Sequence, residues 1–147
     1  MRFLFPVKIT AITDGPPKEH GFLATFPDLP EANTWGDTRE EALINAADCL
    51  EEALAGRIVE RDAVPEPSPA RGRPTVAPGG LIASKAALYL ALRDSGLKSA
   101  DLARRMKVQP SVITRLLDPR HASKPDQFDA AFAALGKRMV VSLESVV

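Results

Sequence analysis

One cysteine, Cys49, stands in the 147-residue chain. A single thiol builds neither an internal disulfide framework nor a cysteine-rich zinc site. Only His20 and His121 add ring nitrogens, so neither a metal nor a cofactor is expected. Long apolar runs are missing too: no stretch reaches the roughly 18 apolar residues of a membrane span, and no basic-then-apolar leader opens the chain. The expectation is a cytoplasmic protein without a membrane partner. Net charge is also absent, since 19 basic residues balance 19 acidic ones. A neutral total is a poor starting point for holding a polyanion. What the chain does have is 45% hydrophobic residues, enough for a packed core, with 26% charged, the balance of a soluble globular protein.

The neutral total hides an asymmetry. Residues 1–66 carry 6 Lys and Arg against 13 Asp and Glu, and residues 67–147 carry 13 against 6, so the halves differ by −7 and +7. Such a split points to two partners of opposite charge. The seam is visible in composition: residues 64–80, VPEPSPARGRPTVAPGG, hold five prolines and three glycines, which no helix interior tolerates. The expected organisation is a first domain over 1–63, a linker over 64–80 with a short extended piece near Thr75 and Val76, and a second domain over 81–147.

In the first half, Phe3, Phe5, Val7 and Ile9 alternate as a half-buried strand does. TDGPP (13–17) reads as a turn, a second strand follows across 20–26, and a short third is expected over 33–36. Thr38 and Glu41 have the spacing of a capping box. Ala42, Leu43, Ala46, Ala47, Leu50, Ala53 and Leu54 then mark one face of a long helix, expected to stop at Gly56. The order is β-β-β-α, with a further strand expected from 57–63 or from the linker.

The second half reads as helical. Ser84 is expected to cap a helix ending before Gly96, and Ser99 a second over 100–107. Gln109 or Pro110 opens a third to about 117; after the loop DPRHASKP, a fourth covers 126–135 before Gly136. The alternating tail RMVVSLESV reads as a terminal strand. Within this half, SADLARRMKVQPSVITRLLDP has the spacing of a helix-turn-helix. Leu102, Ala103, Met106, Val108, Ile113, Leu116 and Leu117 are the side chains such a pair must bury, and small Ala103 leaves room for the crossing. Pro110 suits the first turn of a recognition helix, where its missing N–H costs nothing. The candidate DNA-binding residues are then Ser99, Gln109, Pro110, Ser111, Thr114 and Arg115. Arg115 is the natural guanine reader, because its planar fork donates twice. Arg104 and Lys124, with Arg105, Lys107 and Arg120, flank the helix as phosphate contacts. Lys107 occupies the turn position that often needs glycine. The bland alternative is a plain helical bundle with a solvated basic rim.

Two stretches together resemble the HicB antitoxin family of bacterial toxin–antitoxin pairs. The first is FPDLPEANTWGDTREEALINAADCLEEAL (26–54), with Phe26, Pro27, Asp28, Leu29 and Pro30, then Gly36, Asp37 and Thr38, then Glu40, Glu41 and Ala42 at the family's spacing; residues 31–33 and Trp35 depart from its commoner pattern. The second spans 85–144 and is similar to the helix-turn-helix variant of that family. The resemblance implies an α+β protein: a small antiparallel sheet with one long helix, partial ribonuclease-H-like but without nuclease chemistry, then an all-α helix-turn-helix domain with a terminal strand. It also implies a HicA-type toxin partner, a small basic messenger-RNA-cleaving ribonuclease, and repression of the operon through operator double-stranded DNA. A homo-oligomer, dimer or tetramer, is expected, since helix-turn-helix units work in pairs and a lone strand edge seeks a partner.

The toxin-facing candidates are His20, Asp28, Trp35, Asp37, Glu51 and Glu52. Each has a plainer reading: His20 as an exposed edge residue, Asp28 as a turn former, Trp35 as a core plug, Asp37 as the residue before a cap, Glu51 and Glu52 as a solvated helix face. Cys49 reads as packing. Asp14, Asp28, Asp37 and Glu41 as a metal-dependent catalytic cluster is the weakest reading, and no catalysis is expected. A transcriptional regulator whose N-terminal domain senses a ligand or oligomerises is the alternative function.

Overall fold

Phe5, Pro6 and Val7 are all buried, and this breaks the single alternating strand expected at the start. In the computed structural model, which describes residues 1–146, the chain makes two strands here, β1 (Phe5–Pro6) and β2 (Lys8–Ile12). Pro6 has no N–H to give a continuous ladder. β1 pairs antiparallel with β5 (Thr75–Val76), Phe5 opposite Val76, and the Val7 N–H donates to the Pro74 carbonyl at 2.9 Å. β2 pairs with β3 (Gly21–Phe26), and β3 with β4 (Leu29–Gly36), giving a three-stranded antiparallel sheet in the order β2-β3-β4. β4 is longer than the expected 33–36, because Leu29 and Ala32 are buried along with Gly36.

Gly36 ends β4 where helix α1 (Arg39–Val59) begins, and a Cβ on Gly36 would strike the backbone N of Ala42. Thr38 is the N-cap: its Oγ1 accepts the Glu41 N–H at 3.0 Å, while Glu41 Oε2 accepts the Asp37 N–H at 3.3 Å. Ala42, Ala46, Leu50, Leu54 and Ile58 form its buried stripe against the sheet. The helix runs through Gly56, where a stop was expected. Burying Ile58 is worth about 1.5–3 kcal/mol, against about 1 kcal/mol for a glycine inside a helix. The chain turns at Arg61, in left-handed backbone at φ 58°. Residues 57–63 therefore supply no strand. Instead the Arg57 guanidinium donates twice to the Glu31 carboxylate at 2.8 Å and once to the Ala63 carbonyl at 2.9 Å. The Arg57 hydrogen bonds hold the Glu31 carboxyl below its ordinary range.

The chain divides into two units, Met1–Ala83 and a second beginning at Ser84. Residues 64–80, read above as a linker, run along the first unit. Val64, Val76 and Pro78 are buried, the Ser68 N–H donates to Asp28 Oδ2 at 3.0 Å, and the Gly79 N–H donates to Glu51 Oε1. Arg71 and Arg73 thus belong to the first unit, whose charge is 8 basic against 13 acidic residues.

Helix α2 (Gly80–Ser95) starts four residues before Ser84, the expected cap. α3 (Ser99–Met106) is capped by Lys98, not Ser99, which is its first helical residue; the Lys98 N–H donates to Asp101 Oδ2 at 3.0 Å. α4 is Pro110–Leu117, with Gln109 as its N-cap. α5 (Pro125–Ala134) begins at a proline in the first turn, where a missing N–H is harmless. Gly96 and Gly136 take positive φ of 71° and 70° as α2 and α5 end. The core of the second unit is Leu88, Ala91, Leu92, Leu102, Ala103, Ile113, Leu116, Phe128, Ala131 and Phe132. The terminal strand expected over 139–147 is not formed: residues 137–146 are irregular, Val140, Val141, Leu143 and Val146 are exposed, and Val147 lies outside the described residues. A strand needs a neighbour for its N–H and C=O groups, and a single chain offers none here. The class is nonetheless the expected α+β, a small antiparallel sheet with one long helix followed by a helical unit.

Candidate functional site

α3 and α4 form the helix pair that the sequence promised. Leu102, Ala103, Ile113 and Leu116 are buried between them, and Met106, Val108 and Leu117 pack partly buried against the same core. Ala103, 1% exposed, is the small contact that permits a close crossing. α3 ends in a Schellman-type turn, in which the Val108 N–H reaches the Ala103 carbonyl at 3.0 Å and the Lys107 N–H the Arg104 carbonyl at 3.2 Å. The price of that turn is left-handed backbone at Lys107, φ 58° and ψ 43°.

With Ile113 and Leu116 turned inward, Gln109, Pro110, Ser111, Thr114 and Arg115 are all exposed, as are Ser99, Arg104 and Lys124. Gln109, Pro110 and Ser111 therefore stand at the start of one helix, and Thr114 and Arg115 continue its exposed face, Arg115 in the last turn. Thr114 Oγ1 donates back to the Pro110 carbonyl at 3.3 Å. The flanking cations are not equivalent. Arg104 pairs with Asp101, whose carboxyl is held below its ordinary range first by the Lys98 N–H and then by Arg104. Arg105 Nη1 donates to the Ala134 carbonyl at 3.3 Å, at the end of α5. Arg120 follows an Asx turn, its N–H on Asp118 Oδ1 at 2.9 Å.

One residue of this region escaped the sequence reading. Lys85, on α2, is fully buried, and Nζ donates to the Arg115 carbonyl at 3.0 Å, the Leu116 carbonyl at 3.1 Å and Ser123 Oγ at 3.0 Å. It also lies over the Phe128 ring, 5.5 Å from the centroid. Burial pushes the ammonium below the ordinary lysine value, an effect that Asp118 partly offsets. The available signal was a lone cation three and seven residues before Leu88 and Leu92, on a helix stripe otherwise apolar.

The six toxin-facing candidates separate into four places. Trp35 is 36% exposed and its ring covers Gly21, where a Cβ would collide with it. His20 adjoins Gly21, with Nε2 3.0 Å from the Gly15 carbonyl, and Asp37 follows the Gly36 end of β4, so these three share one end of the sheet. Asp28 sits at the opposite end of the β3–β4 hairpin, past the six residues of β3 and roughly 20 Å from His20 at about 3.3 Å per residue, and is engaged by Ser68. Glu51 and Glu52 diverge: Glu51 holds Gly79, whereas Glu52 lines a shallow 280 Å³ cavity with Asn33, Thr34, Asn45, Asp48 and Cys49. In its wall, Asn45 Nδ2 donates to the Trp35 carbonyl at 2.8 Å and the Cys49 thiol to the Asn33 carbonyl at 3.6 Å. Burial, and then the Glu52 charge, push that thiol above its ordinary value. Among the described residues, no group of three His, Cys, Asp or Glu is placed to hold a metal ion, and no helix is long and apolar enough to cross a membrane.

A sheet-and-helix unit with an acidic excess is followed by a helical unit with an exposed α4 face, and comparison with known proteins gives the class to which this arrangement belongs. Residues 5–77 match the model of the family described as the HicB_like antitoxin of bacterial toxin-antitoxin system. The chain is 37% identical to "Antitoxin HicB 1" of Photorhabdus laumondii over 143 residues, which cover 97% of this chain and 92% of that protein. It is 35% identical to "Antitoxin HicB" of Escherichia coli K12 over 136 residues, covering 92% and 95%. The chain belongs to the HicB antitoxin family and is an antitoxin of a toxin–antitoxin system.

The α3–α4 turn yields a direct test. Replacing Lys107 by glycine removes the left-handed penalty of about 1–2 kcal/mol, part of it offset by the greater freedom of glycine when unfolded. Lys107→Gly should match or exceed the wild-type melting temperature, while Lys107→Val should lower it by several degrees. Thermal denaturation followed by circular dichroism decides; a Lys107→Val protein as stable as wild type would deny that strain.

Proposed function

We propose that the unit Met1–Ala83 binds and inhibits a HicA-type messenger-RNA-cleaving toxin, and that the helical unit represses the operon by binding operator DNA as a homo-oligomer. The observation that carries the DNA half is the face of α4, where Gln109, Pro110, Ser111, Thr114 and Arg115 stand exposed over a buried Ala103–Ile113–Leu116 contact. Helices presented in this way read major grooves with their N-terminal residues. The toxin half rests on acidic excess: α1 exposes Glu40, Asp48 and Glu52, and a basic RNA-binding partner is attracted and steered by such a face. His20, Trp35, Asp37 and Glu52 are the contacts this reading favours. Asp28 and Glu51 support the surface through Ser68 and Gly79. The protein acts by binding and carries out no catalysis.

The first unit alone should silence the toxin. A fragment ending at Ala83 keeps β5 on β1, so it should co-purify with the product of the neighbouring toxin gene and rescue growth, and added salt should weaken the complex, since exposed charges are screened over roughly 8 Å at physiological ionic strength. A folded fragment that neither binds nor rescues would refute this half.

Self-association is assigned to the tail, where Val140, Val141, Leu143 and Val146 are exposed. Light scattering should give a dimer or tetramer at micromolar concentration, and deletion of 139–147 should reduce it; a monomeric full chain would count against the assignment.

On DNA, Arg115→Ala should cost about 1–3 kcal/mol on the cognate operator and relax preference at one base pair. Arg104→Ala and Lys124→Ala should weaken binding equally on all sequences and lower the salt slope by roughly one unit. Anisotropy titrations at several salt concentrations separate the two behaviours. Normal operator binding by Arg115→Ala would return α4 to the status of an ordinary bundle helix.

A further inference from the structure

We propose that Lys85 is a positioning residue for base reading: its buried ammonium fixes the backbone of Arg115 and the loop behind α4, and thereby sets the base discrimination of a helix to which it does not belong. The inference rests on the reading of α4 as the recognition helix. It starts from how α4 ends. The last carbonyls of a helix have no intrahelical partner, and a left-handed glycine usually lets the following N–H groups fold back onto them. α4 has no such cap, because Asp118 is extended at φ −83° and ψ 113°. The Asp118 N–H reaches the Arg115 carbonyl at 3.2 Å, and Lys85 Nζ adds bonds at 3.0 Å to Arg115 and 3.1 Å to Leu116. A cation at this end also suits the helix dipole.

The third hydrogen of the ammonium carries the argument beyond helix capping. It goes to Ser123 Oγ at 3.0 Å, and Ser123 in turn lies 3.3 Å from His121 Nδ1. Residues 118–124 include Arg120 and Lys124, the flanking phosphate candidates. One buried group therefore ties the carbonyl of the base reader to the loop that holds the backbone contacts. Phosphate contacts set the register of a protein on DNA, while base contacts specify within that register. A discriminating arginine needs both to be held in one frame. An apolar side chain at position 85 would fill the core without the desolvation cost of an ammonium; what lysine adds is the common anchor.

The test uses the full chain and two variants, Lys85→Met, which keeps length and packing, and Ser123→Ala, which removes the hydroxyl that joins the loop to Lys85 and, at 3.5 Å, to the Arg115 carbonyl itself. The readout is the ratio of affinities for the operator and for a duplex altered at the base pair read by Arg115. Lys85→Met should reduce that ratio about tenfold, within the range a bidentate contact is worth, and Ser123→Ala should reduce it less, in the same direction. In an Arg115→Ala background, Lys85→Met should leave the ratio unchanged. A merely structural lysine would instead weaken both duplexes in proportion in either background, and that result overturns the proposal. If Lys85→Met fails to fold, by circular dichroism, Ser123→Ala decides: an unchanged ratio overturns the proposal. Amide hydrogen exchange of the free protein reads the anchor without DNA. Faster exchange over 116–124 in the variants, with α2, α3 and α5 protected, supports it, and unchanged exchange overturns it. Failure of the wild type to bind any duplex from upstream of its gene would defeat the recognition-helix reading instead, with exchange still judging the anchor.

Discussion

An ammonium taken out of water must find an acceptor for each of its three hydrogens, or it will not stay charged and buried. Lys85 meets that constraint with two carbonyls and a hydroxyl, and among the described residues no buried side-chain nitrogen or oxygen lacks a partner. The rest of the helical unit is arranged around the same point. α2 supplies the lysine, α4 ends on it, the 118–124 loop hangs from it, and Phe128 of α5 closes over it. Apolar packing among Leu88, Leu102, Ile113 and Phe132 supplies most of the stabilisation here, as in any small helical unit. That packing is tolerant of small rotations. The three hydrogen bonds are not, because they are directional and their loss strands buried polar groups.

The sheet-and-helix unit obeys a different constraint, close approach. α1 lies on the sheet with alanines at 42 and 46 under its first turns, and Gly36 lets the strand end meet the helix backbone. This gives the run Gly36, Asp37, Thr38 a physical meaning. The glycine makes room, the Asp37 N–H donates to the Glu41 carboxylate, and the threonine caps. The run is thus a joint between strand and helix. The acidic side chains on the far side of α1 are free of that duty, which is why the toxin-facing reading is placed on them.

What was legible in the sequence was what repeats locally. The Thr38 cap, the stripe from Ala42 to Leu54, and the α3–α4 pair all depend on spacings of three and four residues and are present. Glu41, however, reaches back to the Asp37 N–H and not to the Thr38 N–H that a full capping box would use. The parts that escaped depend on distant partners. Pro6 itself interrupts the ladder, but nothing near it announces the partner of β1, which is β5, some 70 residues along at Thr75 and Val76. Gly56 reads as a stop until Ile58 is seen to be buried. The proline-rich segment reads as a tether until Ser68 and Gly79 are found on Asp28 and Glu51. Of the candidate site, the exposed residues of α4 were readable from the amphipathic pattern, whereas Lys85 looked like any charged residue in a helix. The tail shows the converse error: β-branched alternation is a property of the chain, but a strand is a property of two.

The side chains of Asn45 and Cys49 have an effect on the sheet that reaches past the cavity they line. A three-stranded sheet has two edges, here β2 and β4, and each open edge is a template on which another chain can crystallise into a ladder. On β4 the carbonyls of Asn33 and Trp35 are already occupied by those two helix residues. Growth from that side would first have to strip α1 of its contacts. β2 remains, five residues long and opened by the charge of exposed Lys8, a length and a charge that discourage indefinite stacking. The unit is in this sense a sheet with a single usable margin, guarded against self-polymerisation while its acidic helix stays in solution.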